Sequence, residues 1–315
     1  MSKQIIISGK PVGPKIDLPT AASIMKTALE QGATFWNGGM FYGTPEYNSL
    51  HVLKYYFTQY PEDADKVTLS IKGAFDPKSY QPTGSPAAIR ADVERALQIL
   101  AGTKKIDVFE MARVDPKVPI EESVQALAEL VQEGKIGGVG LSEVSAASIR
   151  RAAKVARIEA VEIELSLFTT DPLSNGILAA CEDLDIPVVA YSPVGRGFLT
   201  GQIRKLEDMA ADDGRRHWPR YQADVFDQNF KLVAAVEEIA QRKQVPLASV
   251  AIAWSRQQGS KIIALPGASK AKQVVQNCTV VELSDEELRE MDRLLKSMPV
   301  AGGRYPGMLE DQLNG

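Results

Sequence analysis

The sequence is poor in cysteine and has no long hydrophobic run. Its two cysteines, Cys181 and Cys278, lie far apart in helical patterns, so buried thiols in a reducing compartment are expected rather than a disulfide. The apolar part of the first ten residues is too short for a signal peptide, and no later run is long enough to cross a bilayer. We therefore expect a soluble, cytoplasmic protein.

The sequence also lacks an excess of positive charge and has few histidines. Its 36 Lys and Arg residues face 40 Asp and Glu residues, and the net charge of -4 gives no basic field for nucleic acid or for an anionic membrane. The two histidines, His51 and His217, have no cluster of metal-ligating residues around them, so no metal site is predicted. The remaining composition, 44% hydrophobic and 24% charged, is that of a globular protein with a full core.

Short β-branched runs alternate along the chain with amphipathic segments. The strand candidates are 34–37, 67–72, 106–112, 136–141, 160–163, 187–191 and 262–265. The helix candidates are 20–31, 45–57, 87–100, 121–132, 146–155, 173–184 and 232–241. Alternating β and α units indicate a parallel sheet, and about eight such units close into a barrel. We therefore predict an α/β protein, a (β/α)8 TIM barrel that forms a single domain over residues 1–315.

Two segments stand outside this alternation. Residues 4–8 and 11–12, joined by Gly9-Lys10, are predicted to form a short N-terminal hairpin that caps the barrel floor. Residues 195–229, rich in Arg, Asp, Trp and Pro, follow a strand end and are predicted to form a binding loop or lid over the active rim.

A polar strand end, a tyrosine and a lysine are spaced so that a barrel would bring them together. Asn37 and Tyr42 follow one apolar run, and the next apolar run ends on Lys72. In a barrel all three lie at the C-terminal face, where such barrels carry out chemistry. An ammonium beside the phenol lowers the pKa of Tyr42 and lets it transfer a proton at neutral pH. The alternative is a half-buried loop anchor at Tyr42 and a solvated strand end at Lys72.

Two segments of the last third suit phosphate binding. Residues 190–197 leave a strand with glycines and an arginine, and Tyr191 offers a flat face to a planar ring while free N–H groups suit a pyrophosphate. Residues 265–270 end the last strand and open a helix with Ser269 and Lys270 at its start, which favours a phosphate. Barrels commonly bind phosphate after their seventh and eighth strands.

Taken in order, these segments resemble the aldo-keto reductase family and, within it, the fungal pyridoxal reductase branch. The resemblance covers nearly the whole chain. It implies reduction of an aldehyde or ketone by NADPH, with a hydride from the nicotinamide and a proton from the tyrosine. The matching segments are Phe35-Trp36-Asn37-Gly38-Gly39, Phe41-Tyr42-Gly43, Ser70-Ile71-Lys72-Gly73, Ala112-Arg113-Val114-Asp115-Pro116, Gly140-Leu141-Ser142-Glu143-Val144-Ser145, Ser166-Leu167-Phe168, Ala190-Tyr191-Ser192-Pro193, Gly195-Arg196-Gly197 and Pro266-Gly267.

The resemblance also implies a role for individual residues. Tyr42 is the acid, Lys72 lowers its pKa, and Asn37 completes the catalytic group. The residues implied to hold the nicotinamide are Ser142, Glu162 and Tyr191, the last by stacking. The pyrophosphate stretch contains Ser192, Pro193, Gly195, Arg196 and Gly197, and the adenosine end contains Ser269, Lys270, Gln273, Gln276 and Asn277.

The chain departs from most of the family at two positions near the carbonyl, and the pyridoxal reductase branch shares both changes. Asn37 stands where most of the family has an aspartate, and Ala112 where it has a histidine. Asn37 offers no charge to Lys72, which leaves the ammonium freer to act on Tyr42. Ala112 removes one hydrogen-bond donor and leaves room for a bulkier substrate.

Two further residues are candidates for contact with the substrate. Glu110 faces the same side as Ala112, because residues two apart in a strand share a face. The alternative for Glu110 is a structural pair with a neighbouring lysine or with Arg113. Trp36 is a candidate aromatic wall.

A third departure concerns the first barrel strand. The family has a glycine-rich strand after the segment that matches residues 11–14, whereas here residues 15–19 run almost directly into the first helix. A barrel without that strand would expose two sheet edges. The first strand is therefore predicted to be shortened or missing. Either residues 5–12 shift to fill the gap, or the barrel is open, or the gene prediction has lost an exon.

The expected partner is a small-molecule carbonyl substrate, either pyridoxal or a carbonyl intermediate of secondary metabolism. Two alternatives remain open from the sequence. One is a non-catalytic barrel that binds NADPH as a sensor or partner protein, and the other is a barrel in which Lys72 forms a Schiff base with a carbonyl. The presence of both Tyr42 and Lys72 favours the reductase.

Overall fold

The computed structural model describes the backbone of residues 3–6 and all of residues 16–315. A sheet of eight strands lies at its centre, and neighbouring strands are parallel and follow chain order. The two outermost strands of that order also lie against each other, with Cα atoms within 8 Å. The sheet is therefore curled, which fits a (β/α)8 barrel. Its strands are β1 Lys3–Ile6, β2 Ala33–Gly39, β3 Thr68–Gly73, β4 Val108–Met111, β5 Val139–Ser142, β6 Ile158–Glu164, β7 Val188–Tyr191 and β8 Ile262–Leu265.

Helices cover the outer face of the sheet and alternate with the strands as predicted. Their bounds are α1 Leu18–Glu30, α2 Ser49–Gln59, α3 Pro86–Leu100, α4 Ile120–Gln132, α5 Ala146–Ala152, α6 Ile177–Asp183, α7 Ala223–Lys243, α8 Leu247–Arg256, α9 Ala271–Cys278 and α10 Asp285–Ser297. No helix among residues 16–315 is long and apolar enough to span a membrane.

The N-terminal segment supplies the first strand of the sheet. β1 pairs in parallel with β2, and Ile6 lies opposite Asn37. The pairing of β1 with β2 corresponds to the first of the three predicted alternatives, in which the N-terminal segment fills the gap. The strand is short and contains residues 3–6. Residues 7–12 of the predicted hairpin lie outside the described residues, so the hairpin stays a prediction.

The predicted loop 195–229 ends earlier than expected. It consists of short 3-10 turns as far as Tyr221, and α7 begins at Ala223. The polar residues of the first turns of α7 obscured the helical pattern. One of them, Asn229, is buried and donates from Nδ2 to the carbonyls of Arg220 and Ala301, at 3.0 and 2.9 Å.

Side-chain alternation divides the core into two parts. Ala160, Val189 and Leu265 form a small apolar cluster with Phe35 inside the sheet, whereas the large cluster lies between the sheet and the helices. Inside the barrel, the residue two positions after Phe35 is the polar Asn37. The interior therefore changes from apolar to polar toward the carboxyl ends of the strands.

Trp36 belongs to the outer face of β2. It is fully buried, its ring centroid lies 5.0 Å from that of Tyr56 and 5.7 Å from that of Phe57 on α2, and its Nε1 donates to Ala33 O at 2.8 Å. The prediction that Trp36 forms a wall of the substrate site is therefore wrong. Successive residues of a strand point to opposite faces, and Asn37 takes the inward direction.

Asp63 ties the first two helices together. Its buried carboxylate accepts hydrogen bonds from Lys26 Nζ of α1 at 2.6 Å, from Tyr56 Oη of α2 at 2.8 Å and from Lys66 Nζ at 2.8 Å. Burial raises the pKa of a carboxyl, but these three bonds outweigh it and lower the pKa of Asp63 to about 2. Because Tyr56 also packs on Trp36 of β2, the same group of contacts connects these helices to the sheet.

We expect Asp63→Asn to destabilise the protein by about 2 kcal/mol at pH 7, because charge-assisted hydrogen bonds in a buried site are lost. The folded pKa lies below the ordinary value of 3.8. The stabilisation is therefore fully present above about pH 4 and is lost as the pH falls toward 2. In urea unfolding, the difference in the free energy of unfolding between wild type and Asp63→Asn should be smaller at pH 3 than at pH 7. The exposed Asp65→Asn is the control, and equal stabilities of Asp63→Asn and wild type at pH 7 would contradict the prediction.

Candidate active site

Neighbouring strands place five polar side chains inside the barrel near its C-terminal rim. Asn37 of β2 lies opposite Ser70 of β3, and Lys72 of β3 lies opposite Glu110 of β4. Glu162 enters from β6, across the interior. All five are buried, so their polar atoms depend on one another for hydrogen bonds.

Lys72 forms a buried ion pair with Glu162. The ammonium donates to Glu162 Oε1 and lies 3.9 Å from Glu110 Oε2. The expectation that Asn37 leaves this ammonium freer is therefore wrong, because Glu162 supplies the negative charge from another strand. Sequence reasoning missed the pair because no local pattern connects the two residues.

Asn37 and Ser70 complete this network. Asn37 Nδ2 donates to Glu162 Oε2 at 2.8 Å and to Glu110 Oε1 at 3.3 Å, and Ser70 Oγ also donates to Glu110 Oε1. Two buried acceptor atoms, Asn37 Oδ1 and Glu110 Oε2, have no hydrogen-bond partner. Asn37 therefore bridges two carboxyl groups rather than neutralising the lysine.

Burial and charge shift the pKa values of these groups. Burial lowers the pKa of Lys72, but the neighbouring Glu162 and Tyr42 outweigh it and raise the pKa above its usual range, so the ammonium stays charged. Burial raises the pKa of Glu162 to about 8, with the attraction of Lys72 opposing it and the charge of Glu110 adding to it.

Tyr42 lies in the loop that joins β2 to α2, next to the end of β3. Met40 N donates to Lys72 O at 2.8 Å, which fastens the start of the loop to the strand that carries the lysine. Gly39 lies under the Tyr42 ring, where a Cβ atom would be 3.1 Å from Tyr42 Cγ. Tyr42 is half-buried, Phe41 packs on its ring, and Phe75 packs on Phe41.

The pKa of Tyr42 shifts in the direction opposite to the one expected. Burial raises the pKa of Tyr42 to about 12, with Lys72 opposing and Glu162 adding to the increase. The prediction of a lowered pKa is wrong because burial of the phenol, together with the charge of Glu162, outweighs the effect of the ammonium on the pKa. At neutral pH the phenol therefore holds its proton.

Glu110 lies inside the barrel and belongs to the charge network. A Cβ atom at Gly140 of β5 would be 2.4 Å from Glu110 Cγ, so only glycine leaves room for this side chain. The geometry corresponds to the alternative of a structural pair with a lysine, and substrate contact stays a prediction. Ala112, at the end of the same strand, is buried and donates from its amide to Gly73 O at 3.0 Å.

Tyr191 connects this network to a second one. Lys72 Nζ lies 5.5 Å from the centroid of the Tyr191 ring. The phenol donates to Glu143 Oε1 at 2.8 Å and lies 2.8 Å from the hydroxyl of Tyr305. Arg304 Nη2 donates both to Glu143 Oε1, at 2.7 Å, and to Tyr191 Oη, at 3.2 Å.

Arg196 is held firmly in the second network. Its guanidinium donates to both oxygens of buried Glu164, at 2.9 and 2.5 Å. Its Cζ lies 4.3 Å from the centroid of the Trp218 ring and 4.6 Å from that of the Tyr305 ring, and these two rings pack on each other with centroids 5.2 Å apart. The side chain implied to bind pyrophosphate thus already has ionic and aromatic partners within the protein.

Sequence reasoning missed most of the second network. Glu143 follows the predicted Ser142, and Glu164 lies two residues after Glu162 on the same inward face, so strand alternation could have identified Glu164. Arg304 and Tyr305 follow the last helix in an irregular segment, which offers no periodic signal.

The stretch after β7 is tightly turned. Ser192 and Gly195 have positive φ of 54° and 55°, and Gly197 of 100°. Gly195 N donates to Ser192 O at 2.9 Å, and Gly197 N to Val194 O at 3.0 Å. These two N–H groups are therefore engaged within the loop, contrary to the expectation that they are free. The pyrophosphate contacts of this stretch, which includes Pro193, stay a prediction.

Ser142 fits a role in binding a nicotinamide. Its hydroxyl is buried at the end of β5, opposite Glu162 of β6, and has no hydrogen-bond partner. A carboxamide would satisfy such an orphaned group. Glu162, by contrast, already accepts hydrogen bonds at both oxygens.

The predicted adenosine end lies at the exposed start of α9. Ser269 donates from N and Oγ to Gln273 Oε1, at 2.9 and 3.2 Å, while Lys270 is exposed. Asn277 Nδ2 donates to Gly267 O at 3.4 Å, and Gln276 is half-buried. The helix begins without a side-chain cap, so its first N–H groups point toward this surface.

His51 serves the fold. Its Nδ1 accepts from Asn48 N at 3.1 Å in the capping box of α2. Residues 16–315 contain no group of His, Cys, Asp and Glu side chains that could hold a metal ion.

Comparison with known proteins identifies the family. A profile of the Aldo/keto reductase family matches residues 8–296. Probable pyridoxal reductase 2 of Schizosaccharomyces pombe is 38% identical over 98% of this chain and 99% of its own length. An aldo-keto reductase of Gibberella moniliformis is 35% identical over 93% of this chain and 89% of its own length.

The fold comparison agrees. The solved structure of a glycerol dehydrogenase from Gluconobacter oxydans superposes with a TM-score of 0.81 at 26% identity, covering 94% of this chain and 92% of that one. The resemblance found in the sequence is thereby confirmed, both for the family and for its pyridoxal reductase branch. The chain belongs to the aldo/keto reductase family.

Proposed function

We propose that residues 1–315 form one reductase domain that converts an aldehyde or ketone to an alcohol with NADPH. The observation that carries the proposal is the position of Tyr42 at the barrel rim, in the loop that is fastened to the end of β3 next to buried Lys72. Tyr191 lies beside that ammonium, which brings the proposed catalytic and cofactor residues into one site.

In this proposal Tyr42 is the general acid. Reduced nicotinamide, when bound, supplies the hydride that reaches the carbonyl carbon. Tyr42 gives its hydroxyl proton to the carbonyl oxygen, and the charge of Lys72 stabilises the phenolate that remains. Glu162 and Asn37 keep Lys72 in place and charged. A Schiff base at Lys72 is disfavoured, because that reaction needs a neutral amine and this one is paired with Glu162.

The proposed cofactor contacts follow the length of the dinucleotide. Ser142 offers its unpartnered hydroxyl to the carboxamide, and Tyr191 offers a flat ring. Ser269 and Lys270 lie at the open helix start, where a ribose phosphate would meet a cation and backbone N–H groups.

We propose an aromatic aldehyde as substrate, with pyridoxal first among the candidates. A relative 38% identical to this chain is named a probable pyridoxal reductase. Phe41 is half-buried beside Tyr42 and Phe75 packs on Phe41, and we propose that these rings provide the aromatic wall that Trp36 does not. A carbonyl of secondary metabolism remains the second substrate class.

Tyr42→Phe should lower kcat for carbonyl reduction by about 10²–10⁴-fold and leave the Kd for NADPH nearly unchanged, because only the proton donor is removed. Steady-state kinetics and a fluorescence titration measure the two effects. Tyr47→Phe, in the exposed part of the same loop, is the matched control. A Tyr42→Phe enzyme within a few fold of wild type would show that another group supplies the proton.

Lys270→Gln should weaken NADPH binding by about tenfold and leave NADH binding unchanged, since a charge-assisted contact to the 2′-phosphate is lost. Lys272→Gln, also exposed on α9, is the control and should change neither Kd. Equal Kd values of wild type for NADPH and NADH would contradict the preference.

Among pyridoxal, nitrobenzaldehyde and aliphatic aldehydes, we expect the aromatic aldehydes to give the higher kcat/KM with NADPH. Activity on nitrobenzaldehyde without activity on pyridoxal would refute the vitamin substrate and retain the reductase. Tight NADPH binding with no oxidation by any carbonyl would favour the non-catalytic barrel instead.

A further inference from the structure

The charge network inside the barrel holds more carboxyl groups than cations. Glu110 and Glu162 are both buried, and Lys72 is the ammonium that lies against them. If both carboxyl groups were ionised, the network would carry a net negative charge away from water. An uncompensated buried charge is costly, and such a group normally takes up a proton instead.

The hydrogen bonds show where that proton belongs. Both oxygens of Glu162 accept hydrogen bonds, one from Lys72 and one from Asn37. Oε1 of Glu110 also accepts, but Oε2 is buried without a donor. A carboxylate oxygen in that position has the Lys72 ammonium at 3.9 Å, beyond hydrogen-bond distance, whereas a carboxylic acid could donate from it.

From this geometry we propose that Glu110 and Glu162 share one proton beside Lys72, and that this proton restores the hydroxyl of Tyr42 after each reduction. The two glutamates are then positioning residues that act through Lys72. The second half of the inference rests on the proposed reductase function.

The charged and titratable groups that face the pair agree with a shared proton. β3 presents Lys72, the loop after β2 presents Tyr42, and β7 presents Tyr191, whose ring lies against Lys72. β2 and β5 contribute no charge there, since their residues are Asn37 and Gly140. Burial, with the charge of Glu110 and a hydrogen bond from it, raises the pKa of Glu162 to about 8.

The proton steps balance. Tyr42 gives its proton to the carbonyl oxygen while the carbonyl carbon receives the hydride of the reduced nicotinamide. The phenolate then takes a proton from Lys72 Nζ, and the neutral amine takes the proton held by the glutamates. The pair is left as two carboxylates and recovers a proton from water when the product leaves.

An infrared titration of the protein without cofactor tests the shared proton directly. In protein labelled with ¹³C-glutamate we expect the carbonyl band of a protonated glutamic acid at pH 7, and its loss as the pH rises through about 8. Glutamate labelling excludes Asp92, whose pKa is also raised by burial. Absence of the band at pH 7 in wild type would overturn the inference, and this result needs no variant and no activity.

The pH profile of reduction tests the relay. Wild-type kcat should fall above about pH 8, where the pair has lost its proton. Glu110→Gln should lose the infrared band and lower kcat by about tenfold or more. It should also remove the decline of kcat near pH 8, because Glu162 is then the one carboxylate beside Lys72 and stays ionised. Glu110→Asp should restore part of the band and of the pH dependence. The control Glu122→Gln removes an exposed glutamate of α4 outside the network and should keep both the band and the profile.

The outcomes separate the two proposals. A band that titrates as expected, with an unchanged pH profile in Glu110→Gln, would overturn the relay. A wild-type protein that binds NADPH and reduces no carbonyl would refute the proposed function, whereas the infrared result does not depend on turnover.

Discussion

The buried ion pair between Lys72 and Glu162 is the interaction on which the candidate site depends. Removing two charges from water is costly, and their attraction compensates only when the remaining polar atoms are satisfied. Asn37 serves this need by donating one amide hydrogen to each glutamate. These interactions hold β3 against β6 across the barrel interior and keep the ammonium of Lys72 close to Tyr191.

β6 also supports the second network, through the next inward-facing residue. Glu164 receives the guanidinium of Arg196 from the loop after β7 and that of Arg304 from the C-terminal segment. Tyr305 and Trp218 pack on each other, and both rings lie against the guanidinium of Arg196. The two carboxylates of β6 therefore organise different parts of the candidate site. Glu162 orients the proposed proton machinery, and Glu164 fastens two long segments over the same rim.

The sequence was informative where local pattern decides the structure. The seven strands predicted from β-branched runs are all present, and the convergence of Asn37 and Lys72 follows from parallel strands in register. Local pattern does not say which inward residues pair across the barrel, and for that reason the partner of Lys72 was missed. Trp36 was assigned to the wrong face because aromatic character was given more weight than the alternation that directs Asn37 inward.

The same alternation explains how the chain accommodates Asn37 in place of an aspartate. Asn37 lies next to β3, so an aspartate there would meet Lys72 from a neighbouring strand. In this chain the negative charge comes from β6 instead, and an uncharged amide occupies the space between the two glutamates. Glu162 compensates the ammonium in this chain, so an uncharged residue at position 37 does not leave Lys72 without a negative partner. What changes is the number of carboxyl groups around the lysine, because Gly140 leaves room for Glu110 as well. With Ala112 offering no side-chain donor to a carbonyl, the proposed reaction leaves the handling of protons to Tyr42, Lys72 and the glutamates that surround them.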